Sequence, residues 1–348
     1  MAKTAFVTGC LGNLGTYITE RLLSEGYQVV GIDNDARGQL LGASVLRHLD
    51  RLKLIENFKF VRADIRDFID MEMEASCFDL IIHCAAQVSH PHSIDIPMED
   101  FQINAYGTLR LLESVRKHSD DSTFVYIGSA KIYGENVDKF PQVELPTRYD
   151  YPFNGFKGIS ERCSFDQTLK TPFGCSKAYA DLITQEYGLL YGLKTMVWRP
   201  SCFVGKYTVP SLLQRWEAWI MLNILKGEPV RIFGYKGKQV RDILHCEDLV
   251  NAIMLLVNEP PKKGEVFNIG GGRENSLSML ECIELVRNVT GLSPTKIIYE
   301  DKRAGDWRVY VTDNSKLIQH YPEYRITWNL ERIFVELSQS LVELKNVL

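Results

Sequence analysis

No run of about eighteen consecutive apolar residues occurs anywhere in this 348-residue chain, so no segment is expected to cross a bilayer as a helix. A basic-then-apolar leader is also missing before the first apolar run, which begins almost at Met1; the expected location is the cytoplasm. Excess positive charge is absent. With 40 Lys and Arg against 44 Asp and Glu the formal charge is −4, and nothing recommends nucleic acid as a partner. There is no CxxC pair: Cys10, Cys77, Cys84, Cys163, Cys175, Cys202, Cys246 and Cys282 are scattered, mostly inside apolar runs. Reduced, buried thiols are expected of that pattern rather than a disulfide framework or a zinc site. His90 and His92 flank Pro91 without an acidic or cysteine cluster, which suits a loop pair and no metal. Internal repeats, low-complexity tracts and flexible linkers are lacking too.

What is present is alternation. Apolar runs recur at Thr4–Thr8, Val29–Ile32, Lys59–Val61, Leu80–His83, Thr123–Ile127 and Lys194–Trp198, with helix-length amphipathic segments between most of them. That order predicts an α/β fold, a doubly wound parallel sheet with helices on both faces. Leu14, Ile18, Leu22 and Leu23 fall at helical spacing before Gly26, a fitting terminator. A second helix is expected from Asp100 to Lys117, with Phe101, Ile103, Leu109, Leu112 and Val115 on one face. After about Pro200 the pattern loosens: a tryptophan-rich helix at 216–225, strands at 230–233, 240–244, 266–269 and 296–299, and helices from Asp248 and over 278–289. A smaller α/β lobe covering the carboxyl ends of the sheet strands would account for them.

The first apolar run leads into Thr8-Gly9-Cys10-Leu11-Gly12-Asn13-Leu14-Gly15, and the next one ends at Asp33-Asn34. Strand, glycine turn, helix and a second strand tipped by a carboxylate make a dinucleotide-binding half-fold: the glycines let backbone approach a pyrophosphate, which sits on N–H groups opening a helix. Asp33 is placed to accept from ribose hydroxyls and would repel the additional phosphate of NADP, so the expected cofactor is NAD. The spacing Gly-x-x-Gly-x-x-Gly differs from the Gly-x-Gly-x-x-Gly of better-known dehydrogenases, and it is the register of the neighbouring elements that carries the inference. Further polar groups stand at strand ends: Asp64-Ile65, then His83-Cys84-Ala85-Ala86-Gln87, then Ser129. Asp64 can accept from an adenine amino group, while the small Ala85 and Ala86 let backbone approach the ribose and phosphates. The expected partition gives residues 1–205 and 237–265 to the NAD-binding domain, and 206–236 and 266–348 to the lobe that holds substrate.

Ser129-Ala130-Lys131-Ile132-Tyr133-Gly134 and Thr171-Pro172-Phe173-Gly174-Cys175-Ser176-Lys177 resemble the extended short-chain dehydrogenase/reductases, sugar-nucleotide enzymes in which a serine or threonine partners a Tyr-x-x-x-Lys pair. In that family the lysine, one helical turn from the tyrosine, lowers the phenol pKa and bonds the nicotinamide ribose. By matched position the catalytic set is Ser129, Phe173 and Lys177. Here phenylalanine stands in the tyrosine position, and none of the sixteen tyrosines has a lysine four residues later. Loss of a positioned general base costs typically ~10²–10⁴ in rate. The chain therefore reads either as a Tyr→Phe form made to trap a substrate or as a natural member whose chemistry is lost or rerouted.

The resemblance runs along essentially the whole chain and implies NAD-dependent epimerisation. It is closest to the CDP-sugar 2-epimerases of the paratose/tyvelose type, carried by His83-Cys84-Ala85-Ala86-Gln87-Val88-Ser89, Ser93-Ile94-Asp95-Ile96-Pro97, Thr147-Arg148-Tyr149, Gly237-Lys238-Gln239-Val240-Arg241-Asp242 and Phe267-Asn268-Ile269-Gly270-Gly271. Lys131 fills the place where the 4,6-dehydratases of the family carry an acid, which argues against dehydration. The likeness implies that Arg241, with Gln239 and Asp242 nearby, and Arg303 and Arg308, with Asp306, hold a nucleotide diphosphate, for which guanidinium forks are suited. Lys131 is grouped with them, and Asn104 is expected to shape the loop beside the cofactor. A homodimer or higher homo-oligomer is usual among relatives, through the helices from Asp100 and from Ser176. Two alternatives stand beside a CDP-sugar 2-epimerase: a 4-epimerase or decarboxylase of a UDP- or GDP-sugar, and a catalytically silent NAD sensor.

Overall fold

The computed structural model describes residues 2–36, 38, 47–67, 78–152 and 155–345; Cys77 lies outside them. The strands in chain order are β1 (Thr4–Thr8), β2 (Gln28–Asp33), β3 (Phe58–Arg62), β4 (Leu80–His83), β5 (Thr123–Ile127), β6 (Val143–Glu144), β7 (Tyr149–Asp150), β8 (Lys194–Pro200), β9 (Cys202–Val204), β10 (Val230–Phe233), β11 (Val240–His245), β12 (Glu265–Ile269), β13 (Ser276–Ser278), β14 (Ile297–Glu300) and β15 (Val309–Tyr310). Seven of them form the main sheet in the order β12-β8-β5-β4-β1-β2-β3, and every pairing in it is parallel. A strand buried on both faces alternates its side chains between two cores. Ala5 and Val7 of β1 join one cluster with Leu14, Ile18, Leu22, Leu249 and Ile253; Phe6 joins the other with Leu111, Leu112, Val115 and Ala180. The helices Asn13–Ser24 and Cys246–Asn258 thus cover one face, and Gly107–His118 and Thr171–Tyr191 the other, which is the expected doubly wound sheet.

The chain leaves β1 toward β2 and β3 and returns to β4 on the opposite side of β1. Loops after β1 and β4 therefore diverge and open a crevice at the carboxyl ends of these strands, where ligands bind in such folds. A second body lies beyond it: β11 pairs with β9, β13 and β15, while β10 pairs with β14. Its core is made with the helices Trp216–Lys226, Met279–Thr290 and Leu330–Lys345. Ser278 and Glu281 close a reciprocal capping box at the start of Met279–Thr290, the polar pairing that satisfies a helix's first N–H groups. No helix among the described residues is long and apolar enough to cross a membrane.

Three expectations shift. β12 was expected in the smaller lobe, but it pairs with β8 and completes the main sheet; all five of its residues are buried, and such a strand carries no alternation to say which sheet it joins. β11, expected with the NAD-binding portion, is central to the smaller sheet. The helix expected from Asp100 is three pieces: Pro97–Phe101, a π-helical turn Gln102–Tyr106, and Gly107–His118. The wider turn inserts a residue into the helical repeat, and Phe101 rotates out to 47% exposure while Leu112 and Val115 stay in the core.

Candidate functional site

At the glycine end of the crevice, a cleft of about 440 Å³ is lined by Gly9, Gly12, Asp33, Asn34, Asp64, Ile65, Ala85, Ala86 and Gln87. Gly9 sits at φ +67° with its N–H on the Ile32 carbonyl. A Cβ there would stand 2.8 Å from the Ala85 nitrogen, and one on Gly15 would stand 2.0 Å from the Gly9 carbonyl oxygen. These contacts leave no room for side chains. Asp33 Oδ2 accepts from the Leu11 N–H at 3.1 Å and Oδ1 from the Asp35 N–H, so the tip of β2 and the glycine turn are held together. Burial raises the Asp33 carboxyl above its ordinary value, with those N–H groups opposing. Asp64 is engaged by Arg66 through two bonds of 2.8 Å and by Asn34 at 2.7 Å; the Arg66 bonds hold its carboxyl below the usual range.

Not every residue picked from the sequence reaches this cleft. Leu11 serves through its N–H, and Asn13, Leu14 and Gly15 are buried in the first turn of their helix. Asn104 is buried behind the wall, its amide donating to the Gln87 carbonyl at 3.1 Å, to Asp100 and to Ser176. Gln87 also reaches Asp100 at 2.8 Å, and Ser176 donates to the other Asp100 oxygen. This network ties the loop after β4 to the helix Thr171–Tyr191. His83 bridges Thr8 (2.7 Å) and Thr108 (2.9 Å) and is pushed down to about 3 by burial and the charge of Lys177. A neutral imidazole results, and it fixes the Thr8 hydroxyl that accepts from the Ala85 N–H.

Ser129, Phe173 and Lys177 share the wall of an adjoining cavity of about 240 Å³. Its lining has Cys84, Ala86, Val88, Leu213 and Gln214 in common with the cleft, so the two are one crevice. Ser129 caps the turn after β5, its Oγ accepting from the Lys131 N–H at 3.2 Å. Phe173 and Lys177, four apart, lie on one face of their helix; the Phe173 N–H donates to Ser93 Oγ at 3.0 Å. Lys177 Nζ donates to the Ile127 carbonyl at 3.1 Å, and burial lowers its pKa to about 8.

Deeper in the same cavity the charges gather. Arg241 on β11 donates to Asp306 and, at 2.8 Å, to the Trp307 carbonyl. Lys131 Nζ stands 3.7 Å from Asp306, 4.0 Å over the Trp307 ring, and donates to the Gly305 carbonyl at 3.1 Å. Arg303 lies against the Phe233 ring at 3.6 Å. Asp306 is mostly enclosed, its side chain 14% exposed, yet Arg241, Lys131 and His90 hold it far below the ordinary carboxylate range. Lys131 comes down to about 8, burial being the main cause. Gln239 also lines this cavity. Arg308 does not: it opens on a separate depression with Glu135, Tyr235 and Lys302, and its N–H donates to Asp138 at 3.1 Å. Arg308 is held away from the cavity by Asp138, whose carboxylate takes its backbone N–H and whose carbonyl takes its guanidinium at 3.4 Å.

His90 was read as a loop residue. It lines this cavity with Lys131, Asp306, Arg303 and Arg241; burial chiefly, together with the three cations, keeps it well below its ordinary pKa, with Asp306 opposing them. Its position directly after the His83–Ser89 stretch was the available signal. Cys202, Arg215, Trp216 and Glu217, also on this wall, carried none.

Residues 5–270 match the NAD dependent epimerase/dehydratase family. The CDP-paratose 2-epimerase of Salmonella typhi is 35% identical over 326 residues, covering 89% of this chain and 91% of that protein. The UDP-glucuronate 4-epimerase of Thermodesulfobacterium geofontis is 29% identical over 97% of both chains. Among solved structures, the UDP-glucuronic acid 4-epimerase of Bacillus cereus, in complex with UDP-glucuronic acid and NAD, superposes with TM-score 0.83 over 98% of this chain and 99% of that one, at 23% identity.

Proposed function

The chain belongs to the NAD dependent epimerase/dehydratase family, and on that premise we propose that it inverts C2 of the sugar in a CDP-sugar, with turnover limited by Phe173. Its coenzyme is NAD, and the glycine cleft fits that group: the bare backbone at Gly9 and Gly12 and the carboxylate at the tip of β2 are what a pyrophosphate and an adenosine ribose require. In this proposal the bare backbone at Gly9 and Gly12 admits the pyrophosphate, Leu11 holds Asp33 in place through its N–H, Asp33 accepts from the ribose hydroxyls, and Asp64, Ile65, Ala85 and Ala86 line the remainder. When bound, NAD⁺ supplies a hydride acceptor that can return the hydride to either face of a sugar carbon.

The chain's own groups do the rest. Arg241, Arg303 and Lys131 bind the diphosphate, displacing part of the attraction they exert on Asp306. Ser129 Oγ orients a sugar hydroxyl, and Lys177 holds the nicotinamide ribose. Phe173 fills the phenol's place without a proton to exchange, so the hydroxyl proton must leave by a slower route. The observation that carries the assignment is the shared wall of cleft and cavity, which lets one tethered ligand meet coenzyme, Ser129 and cations together. The 35% identity to a CDP-paratose 2-epimerase supports the choice of base and carbon. A homodimer is part of the proposal, because Tyr106, Tyr179, Leu182 and Leu189 stand exposed on the helical face of 97–118 and 171–191; sedimentation at micromolar concentration reads it.

Restoring the phenol is the test. F173Y is expected to raise inversion of a CDP-sugar by ~10²–10⁴, followed by loss of one anomeric proton signal and growth of another. Inversion of UDP- or GDP-sugars alone would transfer the assignment to a 4-epimerase. A protein that binds NAD yet leaves every sugar nucleotide unchanged after restoration would be a sensor.

A further inference from the structure

With Phe173 in the phenol's place, the proton of the sugar hydroxyl needs another acceptor on the cavity wall. Most titratable groups there are already committed. Lys131 and Lys177, lowered to about 8, still carry their protons at neutral pH and donate to the Gly305 and Ile127 carbonyls. Burial pushes the thiols of Cys84 and Cys202 up to about 12 and the Tyr310 phenol well above its ordinary value, so none of them offers an anion. Asp306 is taken by Arg241. His90 differs. Burial, Lys131, Arg303 and Arg241 keep its imidazole neutral against the pull of Asp306, and its Nδ1 is buried without a hydrogen-bond partner among the described residues. Buried polar atoms are almost always paired, and an unpaired one on a ligand cavity is what remains when the ligand brings the partner.

The fold puts this imidazole beside Phe173. Ser93 Oγ donates to the His90 carbonyl at 2.8 Å and accepts from the Phe173 N–H at 3.0 Å, so a single hydroxyl spans the two backbones. In the loop after β4 the alternate residues Cys84, Ala86, Val88 and His90 line the cavity, and the first three also line the coenzyme cleft. His90 thus stands one step past the shared wall, on the cavity side. Glu217, whose carboxylate is also unpartnered on this wall, comes from the helix Trp216–Lys226, and no bond of that kind among the described residues ties it to Phe173. Resting on the epimerase reading above, we propose that the His90 imidazole takes the hydroxyl proton that the family's phenol would take. The O–H bond breaks toward a ring nitrogen, its electron pair closes the C=O bond, and the C–H pair leaves as hydride to NAD⁺; re-reduction returns the proton from the imidazolium to the sugar oxygen. Substrate improves its own base, because a bound diphosphate offsets Lys131, Arg303 and Arg241, the cations that disfavour an imidazolium.

Two readouts on the NAD-loaded full chain test this. The first crosses H90Q with F173Y, using CDP-paratose, or UDP-glucuronate should F173Y invert that instead. Against the slow turnover of the native chain H90Q is expected to cost about a hundredfold; against F173Y, where the phenol takes the proton, about threefold or less. A structural role would cost both backgrounds alike. Equal losses would therefore overturn the proposal, as would a native chain without turnover beside an active F173Y, or a loss that follows E217Q and spares H90Q. The second readout needs no turnover. The His90 ring signal in the NMR spectrum, assigned among the seven histidines by its absence from H90Q, should titrate below the ordinary ~6.5 in the ligand-free chain and move up toward that value with CDP bound. A midpoint that CDP leaves in place would put the imidazole out of reach of bound substrate and overturn the proposal. Failure of the underlying reading looks different: if F173Y inverts no sugar nucleotide, the epimerase assignment falls, and the role of His90 with it.

Discussion

The two ends of the crevice are built from different materials. At the glycine end the walls are backbone and small side chains: Gly9 against Ala85, Gly15 against Gly9, with Asp33 locked onto the Leu11 N–H. At the arginine end they are long side chains, Arg241, Lys131 and Arg303 around the mostly buried Asp306, with His90 beside them. A backbone surface is complete as soon as strand, turn and helix form. A surface of buried charges is only tolerable because Asp306 neutralises part of it, and it holds the place of an anion until one arrives. The first end should therefore fail by steric exclusion, the second by electrostatic imbalance.

The largest effect is expected from breaking the glycine end. Gly15→Val drives a side chain into the Gly9 carbonyl, where even a Cβ would approach to 2.0 Å. Backbone must move, at a cost of about 3 kcal/mol. NAD affinity by calorimetry should fall about a hundredfold or more, while CDP still binds. Near-native NAD binding would mean that the turn is not the surface the coenzyme approaches.

Arg241→Met tests the opposite kind of failure. It leaves Asp306 buried with Lys131 at 3.7 Å as its nearest remaining cation, and removal of one partner from a buried pair costs about 3 kcal/mol. The thermal midpoint should drop and CDP binding weaken together. Adding D306N is expected to restore the midpoint but not the binding, a separation no merely structural pair would show. NAD affinity should be unchanged throughout, which is where the two ends part.

This difference also decides what could be read from the chain. The glycine turn, Asp33 and Ser129 lie within short stretches whose neighbours on either side announce strand or helix, so their positions follow from local pattern; Lys177 came through the family resemblance. β12 could not be placed, because a fully buried strand has no alternation to say which sheet it joins. The π-turn at Gln102–Tyr106 broke the helical register in a way that no propensity signals. Arg241 and Arg303 were found through family likeness, yet Arg308, equally matched, faces Asp138 instead. His90 was marked only by its place directly after the His83–Ser89 stretch, and Glu217 by nothing. The setting of His90 is made by the loop after β4, β11 and the segment around Asp306, distant in sequence.

A subtler probe of the glycine end is Asp33→Asn. The carboxamide keeps an acceptor for the Leu11 N–H but loses the charge that would repel a 2′-phosphate. NAD affinity is expected to fall about tenfold and NADP to gain relative to it by a similar factor. If the NAD-to-NADP ratio measured by titration does not move, Asp33 is a strut of the turn and not a reader of ribose.

The smallest effect sharpens the arginine end. Lys131 and Lys177 both have pKa values lowered to about 8, chiefly by burial. Their folded values lie below the unfolded value of about 10.4, so between these limits the unfolded chain binds more protons and their contribution to stability rises with pH. Ligand binding runs the other way. A diphosphate favours the protonated amines, so CDP affinity should be flat below about pH 8 and decline above it, by severalfold at pH 9. Lys131 is the one that stands beside Arg241 and Asp306, whereas Lys177 is turned to the Ile127 carbonyl. K131M should therefore bind CDP more weakly at pH 7 and lose most of the decline, while K131R, whose guanidinium does not titrate in this range, should keep the binding and lose the decline. A full alkaline decline surviving in both variants would assign it to Lys177 and leave Lys131 as packing over Trp307.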